Sequence, residues 1–131
     1  MKDSDRYKAF QDDVMYDFAL PTWNGGIQVW KDNKPQTEII ILEPLAENMP
    51  MLLKCTGIRD ESEELIYEGD IVTYIDMYSQ KKTRVIRWND KLAKFDAYFD
   101  SNYTKMDTLF RITGSIYDSK ELRDYFSEKE S

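Results

Sequence analysis

Apolar and polar positions are most clearly patterned between residues 51 and 74, MLLKCTGIRDESEELIYEGDIVTY. Runs at 52–58 and 65–74 are strand-like and flank a polar acidic turn, and Glu68-Gly69-Asp70 interrupts the second run before Ile71-Val72-Thr73-Tyr74 resumes it. The pattern predicts a hairpin feeding a bent strand. Upstream, residues 7–18 support two readings. Tyr7-Lys8-Ala9-Phe10 and Val14-Met15-Tyr16-Asp17-Phe18 read as two short strands around a turn at Gln11-Asp12-Asp13. Tyr7, Phe10, Val14 and Phe18 also follow the 3–4 spacing of a helix, and taken alone that count is slightly better. Residues 21–26 form a loop with Asn24-Gly25 as its turn signal, and Ile27-Gln28-Val29-Trp30 alternates as a strand. Asp32-Asn33-Lys34-Pro35 turns the chain into the β-branched run TEIIIL at 37–42, long enough for a buried strand. A linker at 44–50 follows, in which Leu45-Ala46-Glu47-Asn48 has room for one helical turn at most.

Beyond the hairpin the strand continues over 74–77, and Ser79-Gln80-Lys81-Lys82 is a polar turn. Residues 83–88 alternate with Val85 and either Ile86 or Trp88 inward, Asn89-Asp90-Lys91 turns, and 92–99 returns. Asp100-Ser101-Asn102 is a third turn, and Leu109-Phe110-Arg111-Ile112-Thr113 is a further strand ending at Gly114. Asp118 with Glu121 resembles a capping box opening a short C-terminal helix whose Leu122, Tyr125 and Phe126 share a face. There is no internal repeat at the usual periods. A meander of short strands with little helix is a mainly β, β-rich α+β fold: an SH3-like small barrel, a sandwich or a curled antiparallel sheet.

Several of these residues carry a resemblance. Thr56-Gly57-Ile58-Arg59-Asp60 followed by Tyr67-Glu68-Gly69-Asp70-Ile71-Val72, and later Gly114-Ser115-Ile116-Tyr117-Asp118 with Leu122, is similar to the YopX family of small phage and prophage proteins. The likeness covers about residues 51–125 well and 19–50 loosely. Tyr7-Lys8-Ala9-Phe10 with Val14-Met15 resembles the family's opening aromatic strand pair, which decides residues 7–18 for strands. One departure is Glu61-Ser62-Glu63-Glu64, which has no Gly where the family usually bends at an Asn-Gly type turn, so a loop longer than two residues is expected there. The resemblance implies a mostly β fold of phage origin and transfers no catalytic residue. We therefore expect a single YopX-like domain over 1–131: divergent strands and loops to residue 50, a barrel-like core at 51–125 and a polar tail at 126–131.

Length agrees with one domain, because 131 residues bury roughly two thirds of their unfolded surface without disulfides or metal. A charge of −7 opposes indiscriminate attraction to phosphate backbones and anionic lipid. No apolar run approaches the roughly 18 residues of a membrane span, and the N-terminus has no apolar h-region, so a cytoplasmic protein of a bacterial host is expected. Cys55 is the only cysteine and histidine is absent, which removes intrachain disulfides, Cys- or His-based zinc sites and His-dependent nucleophiles.

Candidate chemistry is sparse. The two carboxylates of Glu68-Gly69-Asp70 invite a site, yet a glycine at a positive φ or close backbone approach before a strand explains the motif structurally. Tyr67, Glu68, Gly69, Asp70, Gly57 and Gly114 are accordingly read as structural. Asp60, Glu61, Glu63 and Glu64 could gather around a hard cation, but their spacing fails the EF-hand pattern and a solvated turn is the simpler reading. Lys81, Lys82, Arg84 and Arg87 fall within seven residues free of acids, with Tyr78 before them and Trp88 next, a combination that suits single-stranded nucleic acid, although a solvated, Lys-protected strand edge is the simpler reading. Strand alternation would put Lys82, Arg84 and Trp88 on one face and Lys81, Val85 and Arg87 on the other. No catalytic residue, cofactor or metal is expected. With 14% aromatic residues, more than a small core readily hides, the expected function is a non-enzymatic module that binds a protein partner or forms a homo-oligomer. The alternatives are a nucleic-acid-binding module using 81–88 and, third, a small carbohydrate- or nucleotide-acting enzyme.

Overall fold

Two adjacent aspartates make the first hairpin. In the computed structural model, which describes residues 5–44, 49–75, 78–89, 91, 93–95 and 110–130, Asp12 (φ 54°) and Asp13 (φ 60°) both lie in the left-handed region. That is the primed turn whose twist matches the strands it joins. It links β1 (Tyr7–Gln11) to β2 (Val14–Pro21) through the pair Gln11 and Val14. The helical spacing is not the buried set: Ala9 and Ala19 are buried with Tyr7 and Tyr16 packed against them, whereas Val14 and Phe18 are exposed.

The chain forms two compact units, Met1–Cys55 and Thr56–Ser131. In the first, β3 (Ile27–Trp30), β4 (Ile39–Leu42) and the opening half of β5 (Met51–Arg59) complete an antiparallel sheet ordered β4-β3-β2-β1-β5. Its core is Ala9, Ala19, Ile27, Val29 and Leu42. The TEIIIL run is not the buried strand it promised. Ile39, Ile40 and Ile41 are 56%, 39% and 52% exposed, and only Leu42 is buried. The cause is position: β4 is the outermost strand and pairs with β3 alone among the described residues.

In the second unit Thr56 Oγ1 accepts the Ile58 N–H at 3.0 Å and donates to the carbonyl of Ile66 at 2.8 Å, so β5 runs beside β6 (Leu65–Tyr67). Then come β7 (Asp70–Ile75), β8 (Lys81–Val85), the two-residue strands β9 (Trp88–Asn89) and β10 (Lys94–Phe95), and β11 (Arg111–Ser115). The central strand of the three-stranded sheet β11-β7-β8 is β7, and it is apolar on both faces. Val72 and Tyr74 join Ile66, Ile86 and Phe110, while Ile71 joins Val85 and Ile116. The fold is mostly β with antiparallel sheets and a single C-terminal helix, α1 (Lys120–Glu130). Among the described residues no sheet closes into a barrel, so the antiparallel-sheet form of the expectation is the one realised.

Four local expectations change. Lys81 and Lys82 belong to β8 rather than to the turn, which is made at Ser79 with φ 62°. The alternation expected over 83–88 breaks at Val85 and Ile86, consecutive residues that are both buried in different clusters. Asp118 does not open the helix. Its Oδ2 accepts the Ser115 N–H at 2.9 Å while Ser115 Oγ accepts the Tyr117 N–H at 3.1 Å, a capping box around the 3-10 turn Ile116–Asp118. Ser119 Oγ caps α1 by accepting the Leu122 N–H at 3.1 Å. Leu122 and Phe126 pack inward, but Tyr125 is half exposed, because only positions four apart share the buried stripe here. The sequence-predicted features at Leu45-Ala46-Glu47-Asn48, Met77 and Asp100-Ser101-Asn102 lie outside the described residues.

The acidic turn is a five-residue loop, 60–64, and it is not wholly solvated. Asp60 is 7% exposed. Its Oδ1 accepts the N–H groups of Ser62 (2.8 Å) and Glu64 (3.0 Å), and its Oδ2 accepts that of Ile112 (3.2 Å) on β11. Burial opposes ionisation, but these three N–H donors and the charge of Arg111 prevail, and the pKa falls below its ordinary 3.8. A carboxyl with a lowered pKa in the folded state stabilises fully above its unfolded value and loses that contribution as pH falls through the folded value. Asp60→Asn should therefore destabilise by about 1–3 kcal/mol near neutral pH, by leaving N–H groups unsatisfied. In urea titrations the gap to wild type should narrow as pH is taken below 3.8; a gap independent of pH would contradict the ionised role.

Candidate functional site

The Glu68-Gly69-Asp70 turn joins β6 to β7, and its groups are committed to the backbone around it. Asp70 Oδ2 accepts the Tyr67 N–H at 2.8 Å. The Gly69 N–H donates to Ile86 at 2.8 Å, the Ile86 N–H donates to Asp70 at 2.9 Å, and the Ile116 N–H donates to Gly69 at 3.0 Å. Gly69 has φ +90°, and the Tyr117 ring lies where a Cβ would project. Burial, and then the carboxylate of Glu68, hold the Tyr117 phenol above its ordinary pKa of 10.0. Gly114 lies beside the same turn, at an irregularity in the β11–β7 register, with Asp118 Oδ2 3.4 Å from its would-be Cβ. Gly57 stands apart from this group on β5, with its own φ of +79°. The structure therefore gathers Gly69, Asp70 and Gly114 around the 115–118 segment.

The basic stretch is divided between two sheets. Lys81, Lys82 and Arg84 lie on β8, the edge of the three-stranded sheet, opposite Ile75, Tyr74 and Val72. Arg87 follows the break after Ile86, and its charge acts on the Tyr117 phenol. Trp88 starts β9 and meets Phe95 edge to face, with ring centroids 4.9 Å apart. One face presenting Lys82, Arg84 and Trp88 together is thus not formed by a continuous strand. A cavity of about 420 Å³ beside Lys81 is lined by Glu61, Thr73, Tyr74, Arg111 and Thr113, and its Arg111 is ion-paired with Glu61. Among the described residues no three Asp, Glu or Cys side chains are placed to hold a metal ion.

A surface not anticipated from the sequence lies on the outer face of the N-terminal sheet. Leu20, Gln28 and Ile41 stand side by side across β2, β3 and β4, and Trp30 stands beside Ile39. Leu20 is 36% exposed and Ile41 52%. The β2–β3 loop adds Trp23, which is 97% exposed. That loop is tightly held: the Thr22 N–H donates to Gly26 at 2.9 Å, the Gly25 N–H to Thr22 at 3.2 Å, and Thr22 Oγ1 accepts the Gly26 N–H at 2.8 Å while donating to Asn24 Oδ1. Trp23 is presented from an ordered turn beside a cavity of about 390 Å³ lined by Leu20, Pro21, Thr22, Asn24, Gln28 and Ile41. One signal was available: a tryptophan next to an Asn-Gly turn sits where the chain reverses at the surface.

The family model described as YopX protein matches residues 24–123. The chain belongs to the YopX family. The matched region takes in Gly57, the 67–70 motif and Gly114, and reaches back over β3 and β4. This YopX-family chain shares its fold with the crystal structure of protein EF1440 from Enterococcus faecalis. The TM-score is 0.58 at 20% sequence identity, covering 89% of this chain and 96% of that one. No curated protein matches it. No helix among the described residues is long and apolar enough to cross a membrane.

In this YopX-family chain Gly69→Ala should lower stability by at least about 1–3 kcal/mol, from the positive φ alone, with the Tyr117 overlap adding to it. Removing the ring relieves only the overlap. In a double-mutant cycle, Gly69→Ala should cost less in a Tyr117→Ala background than in wild type, read from urea midpoints. Equal costs in both backgrounds would show that the ring does not constrain the glycine.

Proposed function

We propose that this protein is a non-enzymatic binding module of phage or prophage origin, acting in the bacterial cytoplasm by docking a protein partner on the outer face of its N-terminal sheet. The observation that carries this reading is Trp23, 97% exposed on a hydrogen-bonded loop beside a cavity lined by Leu20, Pro21 and Ile41 with the polar Thr22, Asn24 and Gln28. A large aromatic carried on an ordered loop spares the ordering of that backbone on binding, and such residues dominate interface energetics. Leu20 and Ile41 extend the apolar surface around it. Membership of the YopX family supports the phage setting through the resemblance noted above.

The nucleic-acid alternative has the exposed Lys81 and Arg84 on β8 in its favour. Against it stand the −7 charge, whose field opposes a polyanion, and the separation of Trp88 from β8.

Affinity capture from host cells, run in parallel with wild type and Trp23→Ser, tests the proposal. A co-purifying protein should be retained by wild type and bind the variant about 2 kcal/mol more weakly, roughly 30-fold. The variant should stay folded, because the side chain touches almost nothing. Identical recovery by both would refute the docking face. Titration with labelled single-stranded DNA and RNA at low salt supplies the opposing arm. Micromolar binding that weakens steeply with salt and is abolished by Lys82→Glu with Arg84→Glu would replace this reading with the alternative.

A further inference from the structure

We infer that β4 is a self-complementary edge through which two copies of this chain pair antiparallel, joining their N-terminal sheets. The inference deepens the binding-module reading and rests on it, but it uses the strand edge, where Ile39 and Ile41 adjoin the face around Trp23, and not Trp23 itself.

Two of the outer strands, β4 and β8, are treated differently. An open edge invites pairing with another chain, and proteins blunt it with lysines, prolines or bulges. The β8 edge carries Lys81, Lys82 and Arg84. In contrast, β4 is Ile-Ile-Ile-Leu, with no charge, proline or bulge along its length and three side chains exposed.

The direction of its free groups follows from the ladder with β3. The Lys31 N–H donates to the carbonyl of Glu38 at 2.9 Å, and the register runs through Trp30–Ile39, Val29–Ile40, Gln28–Ile41 and Ile27–Leu42. Antiparallel pairs alternate between bonded and non-bonded. Residues 38, 40 and 42 therefore face β3, and Ile39 and Ile41 send their N–H and C=O groups outward. A twofold pairing must bond odd residues to odd residues. Centred on Ile40, it sets Ile39 of each copy against Ile41 of the other, both as bonded pairs, and brings the two Ile40 residues together as a non-bonded pair. The four isoleucines 39 and 41, each about half exposed in one chain, then meet on the outer face.

Charge agrees with this register. Setting Glu38 against Glu43 would mix an inward residue with an outward one, which the ladder forbids. Centred on Ile40, Glu38 of one copy falls opposite Leu42 of the other and Glu43 lies beyond the paired residues, its carbonyl already accepting the Gln11 side-chain amide at 2.6 Å, so no two carboxylates face each other. A dyad centred on Ile41 would instead set Ile39 against Glu43.

Sedimentation of the full chain at micromolar concentration should give twice the 15.6 kDa of one copy. Ile39→Pro removes an outward N–H and no β3–β4 bond, so it should yield a folded monomer. Ile40→Cys should form a disulfide dimer on mild oxidation, because a non-bonded pair holds its Cα atoms about 4.5 Å apart. Ile41→Cys should not, and the buried Cys55 should stay unreactive. A wild-type monomer at high concentration, a dimer that survives Ile39→Pro, or a dimer that Ile40→Cys fails to cross-link would each overturn the pairing. Should Ile39→Pro unfold, the cysteine pair decides alone. Trp23→Ser should leave the dimer intact, so loss of the docking face and loss of the edge are read separately. A β4 edge that becomes protected only when a different protein is added would also overturn it.

Discussion

The close approach of the Tyr117 ring to the backbone at Gly69 sets how the segments of the C-terminal unit meet. The ring occupies the volume that any side chain at 69 would need, so β7 can begin where it does only with a glycine there. The approach is held from both sides. Gly69 and Asp70 exchange main-chain bonds with Ile86, and Gly69 accepts a third bond from Ile116. Ser115 and Asp118 close the turn that carries Tyr117. The entry to the central strand and the entry to the terminal helix thereby fix each other. Docking of Leu122 and Phe126 against Ile71, Val85 and Ile116 follows from that geometry.

A second constraint is polar. The 60–64 loop is tied to the start of β11 through Asp60, which accepts the Ile112 N–H, and through the Glu61 N–H, which donates to the carbonyl of Phe110 at 2.8 Å. The Arg111 to Glu61 ion pair lies in the same place. Buried backbone groups must find partners, and here a carboxylate supplies them where no ladder runs. Among the acidic residues that look available for chemistry in the sequence, Asp60 and Asp70 are engaged by N–H donors and Glu61 by Arg111.

With those groups engaged, the surface features that stand out are apolar and belong to the N-terminal unit. The Thr22 to Gly26 loop holds Trp23 outward, and the β4 edge leaves three isoleucines in solvent. Hydrophobic exposure of this kind is what the proposed docking and edge pairing would cover. The basic residues show the opposite treatment, being placed where charge protects an edge strand.

Local chemistry was legible in the sequence wherever it acts within a few residues. The β-competent runs, the turns at Asp12-Asp13, Asn24-Gly25 and Asp60 to Glu64, the glycine at 69 and a short C-terminal helix all follow from backbone preference and alternation. The motifs around Gly57, Gly69 and Gly114 also carried the family resemblance. Tertiary structure decided what depends on partners distant in the chain. TEIIIL reads the same whether a strand lies in the middle of a sheet or at its rim, and only the strand order left Ile39 and Ile41 in water. Asp60 resembled its solvated neighbours until Ile112, 52 residues away, supplied an N–H. Val85 and Ile86 broke the expected period because each has its own core to enter. A short pattern encodes which faces are apolar; which of them end up covered is set by contacts between segments that the pattern does not contain.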